Sequence, residues 1–177
     1  MAEPEKKEKW LQWVALTTTV LAVAAAISSL KASSYSTQVQ LHTTKEANQW
    51  AYFQSKSIKE HTFALTRDLL VAIGRLENQN PALQKFLQPK IKEFDGEIAR
   101  YDREKKEIKM DAEKLIQEQE VLKRHNVAFA TAVMLLQIAI MLSAVGALIK
   151  SKLLWLIGML MGISGITYML NGFYLWF

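Results

Sequence analysis

The sequence predicts an all-α integral membrane protein with three transmembrane helices and a long antiparallel, coiled-coil-like helical hairpin between spans one and two. Three observations carry this. The runs 10–30, 127–149 and 153–177 contain no charged residue, and each meets the roughly 20 residues needed to cross a hydrocarbon core about 30 Å thick. Between the first two runs lies a highly charged segment whose apolar residues recur at alternating steps of three and four, a helical period. Half of the 177 residues are hydrophobic, yet the mean hydropathy is +0.03, because apolar ends average against a charged middle.

The chain opens on a charged tail, residues 1–9, whose three Lys and three Glu cancel. Lys6, Lys7 and Lys9 before an apolar run resemble the start of a secretory signal. The run is longer than the roughly 7–15 residues of a signal core, and "ISSLKASS" matches a cleavage site only softly, so retention as an anchor is expected. No cysteine is present, which excludes disulfides, thiol catalysis and thiolate-ligated metals.

Residues 31–126 form the expected extramembrane hairpin. They hold 17 Lys and Arg against 14 Asp and Glu, a balance that suits a salt-bridged helical surface and not a nucleic-acid patch. A first seam reads Ile58, Thr62, Leu65, Leu69, Ala72 and Leu76. A second reads Ile91, Phe94, Ile98, Tyr101, Lys105, Ile108, Ala112, Leu115, Gln119 and Leu122. Both have the coiled-coil spacing and are expected to face each other. Lys105 and Gln119 place polar groups at core positions, either to fix register or beside a locally narrow partner. Asn78, Asn80, Pro81 and Pro89 put the reversal near 78–89, with "PALQKFL" as a short tip helix and Pro89 opening the returning helix. The exit "KASSYSTQVQLHTT" is rich in Ser and Thr and is expected to be looser than the helices around it.

Spans two and three are joined by a link carrying Lys150 and Lys152. Three spans place the tail and this link on one side and the hairpin and C-terminus on the other. The lysines before span one favour a cytoplasmic N-terminus, which leaves the hairpin extracytoplasmic. Trp10, Trp13 and Trp155 mark one interface, and Tyr168, Phe173, Tyr174, Trp176 and Phe177 the other.

The stretch "NQWAYFQSKSIKEH" is the most distinctive in the chain. Trp50, Phe53, Gln54, Ser57 and His61 share one helical stripe, and Tyr52, Lys56 and Lys59 another, with Tyr52 and Lys56 spaced for a cation–π contact. The functional reading is an extramembrane interaction site at Trp50, Tyr52, Phe53, Gln54, Lys56 and Lys59, for an anionic or aromatic ligand, lipid head groups or a partner protein. The plainer one is packing against a neighbouring hairpin. Within the bilayer, Gly158, Gly162 and Gly165, with Ala22, Ala25, Ala26 and Ser29, are the small residues that let helices approach closely, inside one protomer or between copies. Gln137 and Asn171 either bond to neighbouring helices or line a pore.

No charge lies in any span, which argues against an ion-coupled transporter. His42, His61 and His125 lack metal-ligand spacing, and His42 with Glu46 reads as a solvated pair at i,i+4. The carboxylates Glu97 to Glu120 alternate with Lys and Arg along one helix, a solvated face without the pocket that acid–base catalysis needs. No phosphate loop or nucleophile motif is present. An enzyme is not expected, nor any cofactor or metal.

In its Ala/Ser-rich "LAVAAAISSLKASS", its "QWAYFQSKSIK" motif from Gln49 to Lys59, its charged helical middle and its two closing spans, the chain resembles a family of small bacterial membrane proteins catalogued only as a domain of unknown function. The resemblance implies the architecture and residence in the bacterial inner membrane, and supplies no reaction or ligand. The expected function is that of a structural or interaction protein that self-associates or docks a partner, in contact with membrane lipids and without nucleic acid. The alternatives are an oligomeric channel, or a membrane sensor that binds an anionic ligand or lipid at Lys56 and Lys59.

Overall fold

The computed structural model describes residues 9–77 and 79–176. The tail of residues 1–8, with Lys6 and Lys7, and also Asn78 and Phe177 lie outside the described residues. The protein is all-α, with α1 (Lys9–Leu76), α2 (Pro81–Leu148) and α3 (Lys152–Tyr174) in that order. Each contains a stretch long and apolar enough to cross a membrane. α1 and α2, at 68 residues each, carry their spans within far longer helices and pack as a hairpin. The chain divides into two units, one made of the residues up to Gln40 and from Gln119 onward, the other of Leu41–Glu118.

In the span unit the core is Leu21, Ala24 and Ala25 of α1 against Leu136 and Ala139 of α2, flanked by Met161, Ile166 and Met169 of α3. Small residues set the helix spacing. A Cβ on Gly158 would come within 2.7 Å of the Ser143 Oγ, on Gly162 within 2.9 Å of Leu21, and on Gly165 within 2.8 Å of Leu136. The glycine face of α3 is thus spent inside the protomer. Ala22 and Ala26 do not join it: both are exposed, while Ala24, Ala25 and Ser28 turn inward.

The exit from span one is a correction. "KASSYSTQVQLHTT" is unbroken α-helix. Its weak propensity is overridden by tertiary contacts. The Asn126 Nδ2 donates to the Ala32 carbonyl at 2.7 Å, and the Tyr35 ring stacks on His125 at 4.8 Å.

α1 ends at Leu76 and α2 begins at Pro81, so the returning helix starts near the beginning of the predicted 78–89 range. Asn80 caps α2 through its side-chain oxygen, which accepts the Leu83 N–H at 3.2 Å, and Pro81 takes the first helical position, where its missing N–H costs nothing. Pro89 does not open a helix, because α2 has already begun. It forfeits one bond, to the Lys85 carbonyl, and both residues are exposed.

The second seam turns inward along its whole length, with Tyr101, Ile108, Ala112 and Gln119 buried and the others half-buried. The first seam does not face it. Ile58, Leu65, Leu69 and Leu76 are 59, 72, 60 and 87% exposed, and Thr62 and Ala72 are exposed too. α1 instead presents Phe53, Lys56, Glu60, Phe63 and Arg67 to α2. The reason is complementarity. The inward face of α2 carries Tyr101, Glu104 and Lys105, which an all-aliphatic seam would leave without partners.

The link between spans two and three closes α2 with paired backbone bonds, Ser151 N–H to the Gly146 carbonyl at 2.8 Å and Lys150 N–H to that of Ala147 at 3.3 Å. This motif places the residue after the cap in the left-handed region, and Lys150 adopts it at φ 54°.

Candidate interaction site

Among the described residues the hairpin unit is held by three ion pairs that cross from α1 to α2, with a histidine–carboxylate contact beside them. Lys56 Nζ meets Glu104 Oε2 at 2.6 Å, Lys105 pairs with Glu60, Arg67 reaches Asp95 at 3.4 Å, and His42 reaches Glu118 at 3.7 Å. From His42 to Lys56, and from Glu118 back to Glu104, the same number of residues passes, which is the mark of an antiparallel register. The predicted His42–Glu46 pairing is replaced by this contact across the hairpin. Lys105, noted as a polar core residue, acts as a register pin, since only one sliding position brings it to Glu60.

Aromatic rings fill the space between the charges. Phe63 stands 5.5 Å from Phe94 and 5.8 Å from Tyr101. Lys56 Nζ lies 5.0 Å from the Tyr52 centroid and 5.4 Å from that of Tyr101. The spacing of Tyr52 and Lys56 had predicted the first of these cation–π contacts. Lys105 sits 5.8 Å over Phe53.

These contacts divide the distinctive stretch in two. Phe53 and Lys56 turn toward α2 and Ser57 is half-buried, while Trp50, Tyr52, Gln54, Lys59 and His61 remain exposed. Trp50 packs edge-on against Phe53 at 5.7 Å, which holds the indole in place on the surface. Beside Tyr52 an open groove of about 510 Å³ is lined by Lys45, Gln49, Asp111, Lys114 and Glu118, among others. Its two cations are matched by two carboxylates, so it carries no net preference for an anion.

Titration follows the same pairs. The hydrogen bond to Glu104 holds the Lys56 ammonium above lysine's ordinary value, helped by Tyr52. The reciprocal bond from Lys56 holds the Glu104 carboxyl below its ordinary range. Asp102 is lowered by its bond from Lys106 within α2, and Arg100 is raised chiefly by Tyr101. Each shift comes from a partner in the hairpin.

At the spans, sequence reasoning missed a cluster around Phe129, which is fully buried. Tyr35 stacks on it at 5.8 Å, Phe173 meets it edge-on at 4.9 Å, and a Cβ on Gly172 would touch its ring at 3.0 Å. His125 bonds through Nδ1 to the Gly172 carbonyl at 2.8 Å. The signal available was an aromatic on each of three helices beside a glycine, which spacing along one helix does not reveal. Trp155 Nε1 donates to Thr17 Oγ1 at 3.3 Å. Asn171 is buried, whereas Gln137 is exposed on the outer face of span two.

No curated protein and no solved structure matches the chain. A family model described as a domain of unknown function (DUF4337) matches residues 10–175, so from the first span through the last helix the chain belongs to the DUF4337 family.

Proposed function

We propose that this chain is a non-enzymatic structural or interaction protein of the bacterial inner membrane, which self-associates or docks a partner through its helical hairpin and a small-residue span face. One observation carries the reading: the hairpin spends its inward charges on holding its own two helices together and leaves large apolar side chains, Trp50 and Tyr52 among them, on its surface. Exposed apolar patches of this kind mark interaction surfaces. In the bilayer the face available for contact is that of Ala22 and Ala26, since the glycines of α3 already pack within the protomer. We place the N-terminus in the cytoplasm and the hairpin outside it, from the lysines that precede span one.

Native mass spectrometry of the full chain released from nanodiscs tests this. A closed oligomer, or a protein retained through purification and lost in Trp50→Ala, supports it. A clean monomer that retains nothing overturns it.

A second reading, an oligomeric permeation protein, draws on Gln137. Its amide lies on the outer face of a span, where hydrocarbon offers no hydrogen bond and a neighbouring copy or a water-filled path would. Solute flux in liposomes, compared with Gln137→Leu, separates the two. The sensor reading is less favoured, because an anion at Lys56 would have to displace the Glu104 carboxylate.

A further inference from the structure

The outward seam of α1 has a property that scattered surface leucines lack. Ile58, Thr62, Leu65, Leu69, Ala72 and Leu76 follow the alternating four-three spacing without a break, and all six are exposed. A repeat of 3.5 residues keeps a stripe facing a second helix, whereas mere solubility demands no such repeat. In the hairpin unit the opposite face of α1 is already occupied by α2, through Phe63, Lys56 and Glu60. Among the described residues of the hairpin unit nothing covers the stripe.

We propose that this stripe is the contact between two copies of the chain, pairing α1 with α1 in parallel; the inference rests on the assembly reading above and names its surface and partner. Two arguments favour a second copy over another protein, and a third explains why so short a seam suffices. A two-fold contact presents the same patch twice, so it must be self-complementary, and a stripe free of charge satisfies that condition because each layer sets a neutral residue against itself. The flanks agree. In a parallel heptad pair, a residue just before one core layer meets the partner's residue five positions on, so Gln54 faces the partner's Lys59, and Asp68 faces the partner's Ile73. No like charges oppose. The third argument is size. Six layers fall short of the roughly 800 Å² per partner of a standard interface, too little for a tight complex in free solution. Copies anchored in one bilayer meet at a raised effective concentration, which makes a short seam sufficient.

The cysteine-free chain allows a direct test. Single cysteines are placed at Leu65→Cys, Leu69→Cys and Ala72→Cys on the stripe, and at Glu93→Cys and Gly96→Cys on exposed positions of α2. The full-length protein in native membranes is then oxidised. Stripe positions are expected to give a band of twice the protomer mass at several-fold higher yield than the α2 positions. Leu65→Glu with Leu69→Glu, read through the Ala72→Cys reporter, is expected to abolish that band and leave hairpin helicity unchanged. Equal yields at stripe and control positions would overturn the proposal, as would a stripe cross-link of some other mass, which would identify a different protein as the occupant. An oligomer in native mass spectrometry that survives the double Glu variant would also overturn it, while leaving assembly itself standing on another surface.

Discussion

Gly158, Gly162 and Gly165 show how one residue type sets helix spacing in a setting where lipid supplies no hydrophobic drive. Their backbones lie where a methyl group would collide with Ser143, Leu21 and Leu136. Gly158→Ala and Gly165→Ala are each expected to destabilise the span bundle by about 1–3 kcal/mol through overpacking, read as a lower midpoint in detergent unfolding. Ala22→Leu, on an exposed face, is expected to leave that midpoint unchanged and to alter only contacts between copies. Lys150 makes the opposite case. It holds a left-handed conformation that costs a residue with a Cβ roughly 1–2 kcal/mol, and glycine is the usual occupant of this position. Lys150→Gly is expected to raise the same midpoint. That small residues would pack was legible in the sequence. Which of them would face inward was not, because Ala22 and Ala25 differ only by a rotation about the helix axis that neighbouring helices decide.

At the scale of the element, the hairpin is stabilised by charge pairs at fixed register. Glu104 is depressed below its ordinary 4.5 and Lys56 is raised above its ordinary 10.5. A depressed carboxyl contributes stability that is present above its unfolded value and lost as pH falls through its folded one, and a raised lysine contributes below its unfolded value and loses that contribution as pH rises through its folded one. Circular dichroism melts should therefore stay flat between those ordinary values and fall on either side. Glu104→Gln should lower the plateau and shrink the acid step; an unchanged acid step would show that the pair does not govern it. Lys105→Met should cost about 1–3 kcal/mol by leaving the half-buried Glu60 carboxylate without its partner.

For the whole molecule, outward sites among the described residues include the exposed aromatics near Trp50, the aliphatic stripe of α1, the Ala22 and Ala26 face of span one, and Gln137 in span two. Each predicts a different loss on substitution. Trp50→Ala is expected to release a docked partner or weaken the oligomer, and Gln137→Leu to reduce association inside the bilayer, measured as a shift of monomer fraction in nanodiscs with the hairpin unfolding midpoint unchanged.

Three apolar runs without charge, a Pro after an Asn, and the seam from Ile91 to Leu122 were sufficient by themselves to determine an all-α chain with three spans and a reversal within 78–89, because hydropathy and capping act locally; where in that range α2 begins was decided by the structure. The face that α1 turns to α2 was decided only in the tertiary structure. Its aliphatic repeat and its charged, aromatic repeat share the same period, and the choice between them depended on what α2 presented: Glu104 to Lys56, Lys105 to Glu60, and Tyr101 to Phe63. A helix spacing rule identifies stripes, but only the partner helix selects one, since burying a charge without its counter-charge costs more than leaving a leucine in water.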